Sequence, residues 1–148
     1  MTSQANAPGL RLNNVAIAVA DLDIMTGWYE RVLGLTVAER GRFDAVGADY
    51  VMLDGDGYRI ELVARGSPGV FVDRTEPPEH LDVLGYKALV LDADDLPAVT
   101  RGFLAAGVEI VWADASLGPG RRSTLIRDPE GNLVNIFGAM VAAEERAS

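Results

Sequence analysis

The sequence predicts an α+β protein built from two β-α-β-β-β modules paired around a shared cavity. Three observations carry that prediction. A strand, a helix-capping Asp, a helix and a closing Gly recur in the same order in each half. An acidic-Gly turn leads into a late strand both times, as Asp56-Gly57 and as Glu130-Gly131. One such module cannot cover both faces of its own sheet, so two should close side by side.

The elements follow in order. Residues 15–22, Val-Ala-Ile-Ala-Val-Ala-Asp-Leu, read as a buried strand ending in an N-cap, with Asp21 as the cap. A first helix follows from Leu22 to Leu33, with Met25, Trp28, Tyr29, Val32 and Leu33 on its apolar face. Trp28 and Tyr29 are read as core. Gly34 supplies the positive φ that ends a helix, and a strand opens at Leu35-Thr-Val. After the Asp56-Gly57 turn comes the strand Tyr58-Arg-Ile-Glu-Leu-Val.

The second half repeats the plan. Residues 89–96 form the strand and cap, with Asp95 before a helix from Leu96 to Ala106 that buries Val99, Phe103 and Leu104. Gly107 ends that helix and Val108-Glu-Ile opens the next strand. Glu130-Gly131 then leads into Asn132-Leu-Val-Asn-Ile-Phe. The organisation is therefore a flexible N-terminus at 1–9, a first module at 10–65, a Pro- and Gly-bearing connection at 66–84, a second module at 85–138, and a tail or short helix at 139–148.

Composition bounds the function. The 148 residues are 49% hydrophobic and 24% charged, as expected of one compact fold with a sizeable interior. No apolar run reaches the roughly 20 residues that span a bilayer. The polar start lacks the basic and apolar stretches of a signal peptide, so a cytoplasmic location is expected. With no cysteine, disulfides, thiolate metal sites and cysteine nucleophiles are excluded. A net charge of −9 repels phosphate backbones and anionic lipid, so neither nucleic acid nor membrane is expected as a partner.

The doubled plan resembles the vicinal oxygen chelate superfamily, which unites glyoxalases, bleomycin-resistance proteins and ring-cleaving dioxygenases. The resemblance covers about residues 10–138. Trp28-Tyr29-Glu-Arg-Val-Leu-Gly-Leu35 looks like the family's first-helix signature, and Asp128-Pro-Glu-Gly-Asn132 looks like its late turn. In metal-binding members, four inward side chains converge, usually two His and two Glu. The resemblance puts Asn14, Glu61, Ala88 and Asn135 at those positions. One carboxylate, two neutral amides and a methyl make a poor site for zinc, iron, nickel or manganese. No metal and no other cofactor is expected. His80, the sole histidine, falls in the connection and reads as an ordinary loop residue.

Strand alternation sends side chains two apart to one face. With Glu61 inward, Arg59 and Val63 accompany it, and Ile60 and Leu62 pack beneath the helices. With Asn14 inward, Leu12, Ala16 and Ala18 follow, leaving Val15, Ile17 and Val19 to the core. The same parity places Tyr86, Ala88 and Val90 inside, with Leu133, Asn135 and Phe137. The resulting lining is apolar with a few polar groups, which suits a small organic ligand. Asn14, Arg59, Glu61, Tyr86, Asn135 and Phe137 are the candidate ligand-binding residues.

Three functions follow as expectations. The first is metal-free binding of a small, partly hydrophobic compound. The second is a cofactor-independent isomerase or lyase, with Glu61 as general base and Asn14 and Asn135 donating to a carbonyl or enolate. In the bland alternative Glu61 is neutralised by Arg59. The third is a subunit or scaffold with a vestigial cavity. The basic stretch Gly118-Pro-Gly-Arg-Arg122 lacks the setting of a phosphate loop and reads as a solvated hairpin connection. No Ser-His-Asp motif is present. A homodimer is expected, because exposed sheet edges are usually covered.

Overall fold

The computed structural model describes residues 9–66 and 69–141, so the predicted flexible N-terminus and most of the predicted tail lie outside the described residues. The first module contains β1 (Val15–Ala18), α1 (Leu22–Leu33), β2 (Thr36–Phe43), β3 (Ala48–Asp54) and β4 (Arg59–Ala64). The second contains β5 (Ala88–Asp92), α2 (Leu96–Ala105), β6 (Glu109–Gly118), β7 (Arg121–Arg127) and β8 (Leu133–Phe137). Each sheet is four-stranded, in the orders β1-β4-β3-β2 and β5-β8-β7-β6. The first pair in each order is parallel and the others antiparallel. Two β-α-β-β-β modules are thus present. None of these ladders joins one sheet to the other, so β1 and β5 each lie at an edge.

Local chemistry sets the helices. The Asp21 carboxylate accepts from the Ile24 amide at 3.0 Å, and the Asp95 carboxylate accepts from the Ala98 amide at 3.1 Å. Gly34 ends α1 at φ 71°, a left-handed conformation that a side chain disfavours. Met25, Trp28 and Tyr29 are buried on α1 as expected. On α2 the buried face is Leu96, Thr100 and Phe103. Leu104, expected in the core, is exposed, because the spacing that faces the sheet runs 96, 100, 103 and leaves it beyond the border. Thr100 fits that face because its hydroxyl bonds the Leu96 carbonyl and the Thr124 hydroxyl.

Both helices contribute to one apolar core. Ile60 and Leu62 of β4, with Val134 and Ile136 of β8, are almost completely buried in it. Val15 is exposed rather than buried, since it opens an edge strand; Ile17 is half-buried and Val19 buried. Tyr86 precedes β5 and is fully exposed, so parity within a strand does not govern it. The stretch 118–122 forms the β6–β7 hairpin turn.

The late turn staples the modules together. The Asp128 carboxylate accepts from the amides of Glu130 and Asn132, from the Asn132 side chain, and from the buried Tyr29 hydroxyl of α1 at 2.8 Å. The Glu130 carboxylate accepts from the Ala20 and Asp21 amides at 2.9–3.0 Å, at the start of α1. An anion there also faces the positive end of the helix dipole.

Burial, then the neighbouring Asp128 charge, pushes the Tyr29 phenol far above its ordinary value. The folded value lies above the unfolded value of about 10, so this stabilisation is present below pH 10. It fades above pH 10, as the unfolded chain ionises first. Tyr29→Phe should cost about 1–2 kcal/mol at pH 8. At pH 11 that deficit should shrink by about 1 kcal/mol, one pH unit being worth 1.36. Urea melts at the two pH values check this, and an equal deficit at both would contradict it.

Candidate functional site

The candidate residues sit on the sheet faces that point away from the helices. On the first sheet, Glu61 lies between Ala16 and Met52 in register, Arg59 faces Asp54, and Val63 lies between Ala18 and Tyr50. Asn14, just before β1, reaches the same face: its amide donates to Asn13 at 2.8 Å and contacts the Met52 sulfur at 3.8 Å. On the second sheet, Asn135 lies between Val90 and Leu125, and Ala88 faces Leu133. Phe137 carries the Arg121 guanidinium 4.5 Å from its ring centre.

Arg59 does not neutralise Glu61. Its guanidinium makes two bonds to Asp54, at 2.6 and 3.3 Å, directly across the β3–β4 ladder. Those bonds hold the Asp54 carboxyl below its ordinary range and raise the guanidinium above its own. Among the described residues Glu61 has no hydrogen-bonding or ion-pairing partner. The Tyr50 hydroxyl instead donates to Glu39, which raises that phenol, and its ring stacks on Phe43 at 4.2 Å. On the second sheet the Asn135 side-chain oxygen is buried and has no partner. A buried amide oxygen left unpaired is costly, and a ligand donor would satisfy it.

The donor chemistry at the four family ligand positions does not fit a divalent transition metal. Asn14 and Glu61 belong to the first sheet, Ala88 and Asn135 to the second, and only Glu61 is a strong ligand. Among the described residues, no three His, Cys, Asp or Glu side chains cluster to hold an ion.

Two cavities flank the connection between modules. One of about 490 Å³ lies at the end of the first sheet's open face, where Ala18 and Val63 meet Arg65, Phe71, Val72 and Glu130. It takes in two residues that parity placed inward, and it stops short of Glu61. The other, about 240 Å³, lies between the connection and the second sheet, with Tyr86 at its margin. Asn14, Arg59, Glu61, Asn135 and Phe137 line neither. Sequence reasoning missed the connection's part in both. The apolar run Val70-Phe71-Val72 was the available signal, since a purely solvated linker has no use for it.

Residues 11–136 match the family model described as Glyoxalase/Bleomycin resistance protein/Dioxygenase superfamily. The fold is similar to that of a glyoxalase family protein from Bacillus cereus, with TM-score 0.72 and 23% identity over 94% of this chain and 100% of that one. A glyoxylase/bleomycin resistance protein/dioxygenase domain from Frankia sp. EAN1pec aligns with TM-score 0.71 and 21% identity, over 88% and 98% of the two chains. A glyoxalase I mutant from Zea mays aligns with TM-score 0.69 and 16% identity over 86% of this chain, which spans only 44% of the maize chain. No curated protein sequence matches.

Proposed function

Since the chain belongs to the glyoxalase/bleomycin resistance protein/dioxygenase superfamily, we propose that it binds a small, partly hydrophobic organic compound without a metal ion. The compound would lie on the open sheet faces. The observation that carries this reading is the substitution of the family's ligand set by Asn14, Glu61, Ala88 and Asn135, with the Asn135 oxygen buried and unpaired. That arrangement offers polar handles to an organic molecule rather than a coordination shell to a cation. Arg59 and Phe137 complete the proposed contacts from the margins, whereas Tyr86, expected among them, lies at the margin of the smaller cavity.

The protein is proposed to act as a homodimer. Two of the four edge strands expose apolar side chains, Val15 on β1 and Val90 on β5. A second copy covering those edges would remove an association hazard. No helix among the described residues is long and apolar enough to cross a membrane. A cytoplasmic location, with no nucleic-acid partner, is part of the proposal and rests on the sequence alone.

One observation favours a second reading. A carboxylate with no hydrogen-bonding partner among the described residues is available as a general base, and the diversion of Arg59 to Asp54 leaves Glu61 in that position. A cofactor-independent isomerase or lyase would use it to move a proton.

Native mass spectrometry of untagged protein tests both the ligand and the assembly. The expected result is a dimer mass carrying an organic compound and no metal; an empty monomer counts against the proposal. Conversion of the recovered compound by wild type, lost by roughly 10²–10⁴-fold in Glu61→Gln with binding retained, would favour the second reading. Binding without conversion in either protein favours the first.

A further inference from the structure

We propose that the cavity of about 240 Å³ between the connection and the second sheet is a separate binding site for a small apolar monocarboxylate. Its lining is mixed: Val72, Val83, Leu84 and Leu133 supply apolar surface, and His80 and Lys87 are among the polar residues that border it. The His80 Nδ1 atom is sealed from water and has no hydrogen-bond partner among the described residues. The Lys87 ammonium donates only to the His80 carbonyl, at 3.0 Å, and forms no salt bridge among the described residues. Sealing a ring nitrogen without a partner costs stability, and an ammonium has three donors of which one is used. A carboxylate in the cavity would accept from one of the unused Lys87 donors, with the His80 residue beside it.

The other charged lining groups do not take that role. Arg127 gives its two Nη groups to the Gly131 and Arg74 carbonyls and has Glu76 and Glu109 at 3.7 and 3.9 Å; its buried Nε has no hydrogen bond among the described residues but faces the Glu109 charge. The Asp73 carboxylate is held by the Thr75 amide and hydroxyl at 2.9 and 2.7 Å. Those Thr75 hydrogen bonds, and to a smaller extent the Lys87 and Arg127 charges, draw the Asp73 carboxyl below its ordinary range. Among the described residues Lys87 is therefore the lining cation without an ion pair, and with Asp73 also lining the cavity this matches a monoanion better than a phosphate dianion. Its size falls under the roughly 300 Å³ of drug-sized sites, so the ligand is a small acid. Leu84 and Tyr86, both almost fully exposed, stand at the margin where an apolar tail would cover them.

Benzoate is the probe, titrated calorimetrically into the full chain, with benzamide and inorganic phosphate as controls. Wild type should bind benzoate, and should bind neither control. Lys87→Gln should weaken benzoate by roughly 10- to 100-fold, the worth of one hydrogen bond to a charged group. His80→Phe should also weaken it, and because that variant can disturb the connection, Lys87→Gln carries the decision. Glu61→Gln should bind benzoate as wild type does, which separates this site from the open sheet faces. Absence of benzoate binding, equal binding of benzamide, or unchanged affinity in Lys87→Gln would overturn the proposal.

Discussion

Asp128→Ala should destabilise the protein by about 3–5 kcal/mol, since several hydrogen bonds to one buried carboxylate are lost, each worth about 1.5–3 kcal/mol and not fully additive. Asp128 is 1% exposed, and its two oxygens accept from three groups of the late turn and from the Tyr29 hydroxyl. Truncation leaves that hydroxyl buried among apolar side chains with no acceptor, and it frees the turn that presents Glu130 to the start of α1. Both losses fall on the joint between modules. Asp128→Asn keeps an oxygen for some of these donors and should cost less than Ala. Urea unfolding at pH 7 measures the effect; a loss below 1 kcal/mol in the alanine variant would mean the late turn does not hold the modules.

Neighbouring positions on β4 should respond in opposite ways. Leu62 is fully buried among core residues, so Leu62→Ala should cost about 2–5 kcal/mol through lost burial and the cavity left behind. Glu61 faces the other side and loses no partner on truncation. Glu61→Ala should therefore fall within about 0.5 kcal/mol of wild type. A one-residue slip of the strand would exchange the two results, since it turns every side chain to the opposite face. The pair thus tests the register that brings Glu61 to the open face, independently of any ligand.

The parts of this structure that are legible in the sequence are those decided within a few residues. Asp21 and Asp95 cap helices through amides three positions away, and Gly34 ends α1 by its own backbone freedom. The alternation of Ile60, Glu61 and Leu62 is equally local, and the burial of both apolar neighbours follows it. Parity weakens at the ends of elements, where Val15 and Tyr86 meet solvent and Leu104 lies past the edge of the buried face.

Contacts between distant segments were not legible. Glu130 meets Ala20 across 110 positions, and the Tyr29 to Asp128 bond spans 99. Both motif stretches were recognised by resemblance, yet nothing within either one indicates that they bond to each other. The partner of Arg59 shows the same limit. Glu61 stands two positions away on the same strand, but the hairpin register places Asp54 opposite, and the guanidinium goes there. The cavities depend on how the connection folds back over the sheets, which its turn-forming residues leave undetermined.

The central claim is that an organic ligand, and not a metal ion, occupies this protein. Metal analysis of untagged protein, paired with thermal melts in zinc, nickel, manganese and iron(II), tests it most directly. A native-state ligand at a hundredfold excess over its Kd stabilises by about 2.7 kcal/mol, which a melt resolves clearly. The account predicts no stoichiometric metal and no melting shift in wild type. One equivalent of bound metal, lost on Glu61→Ala, would contradict it.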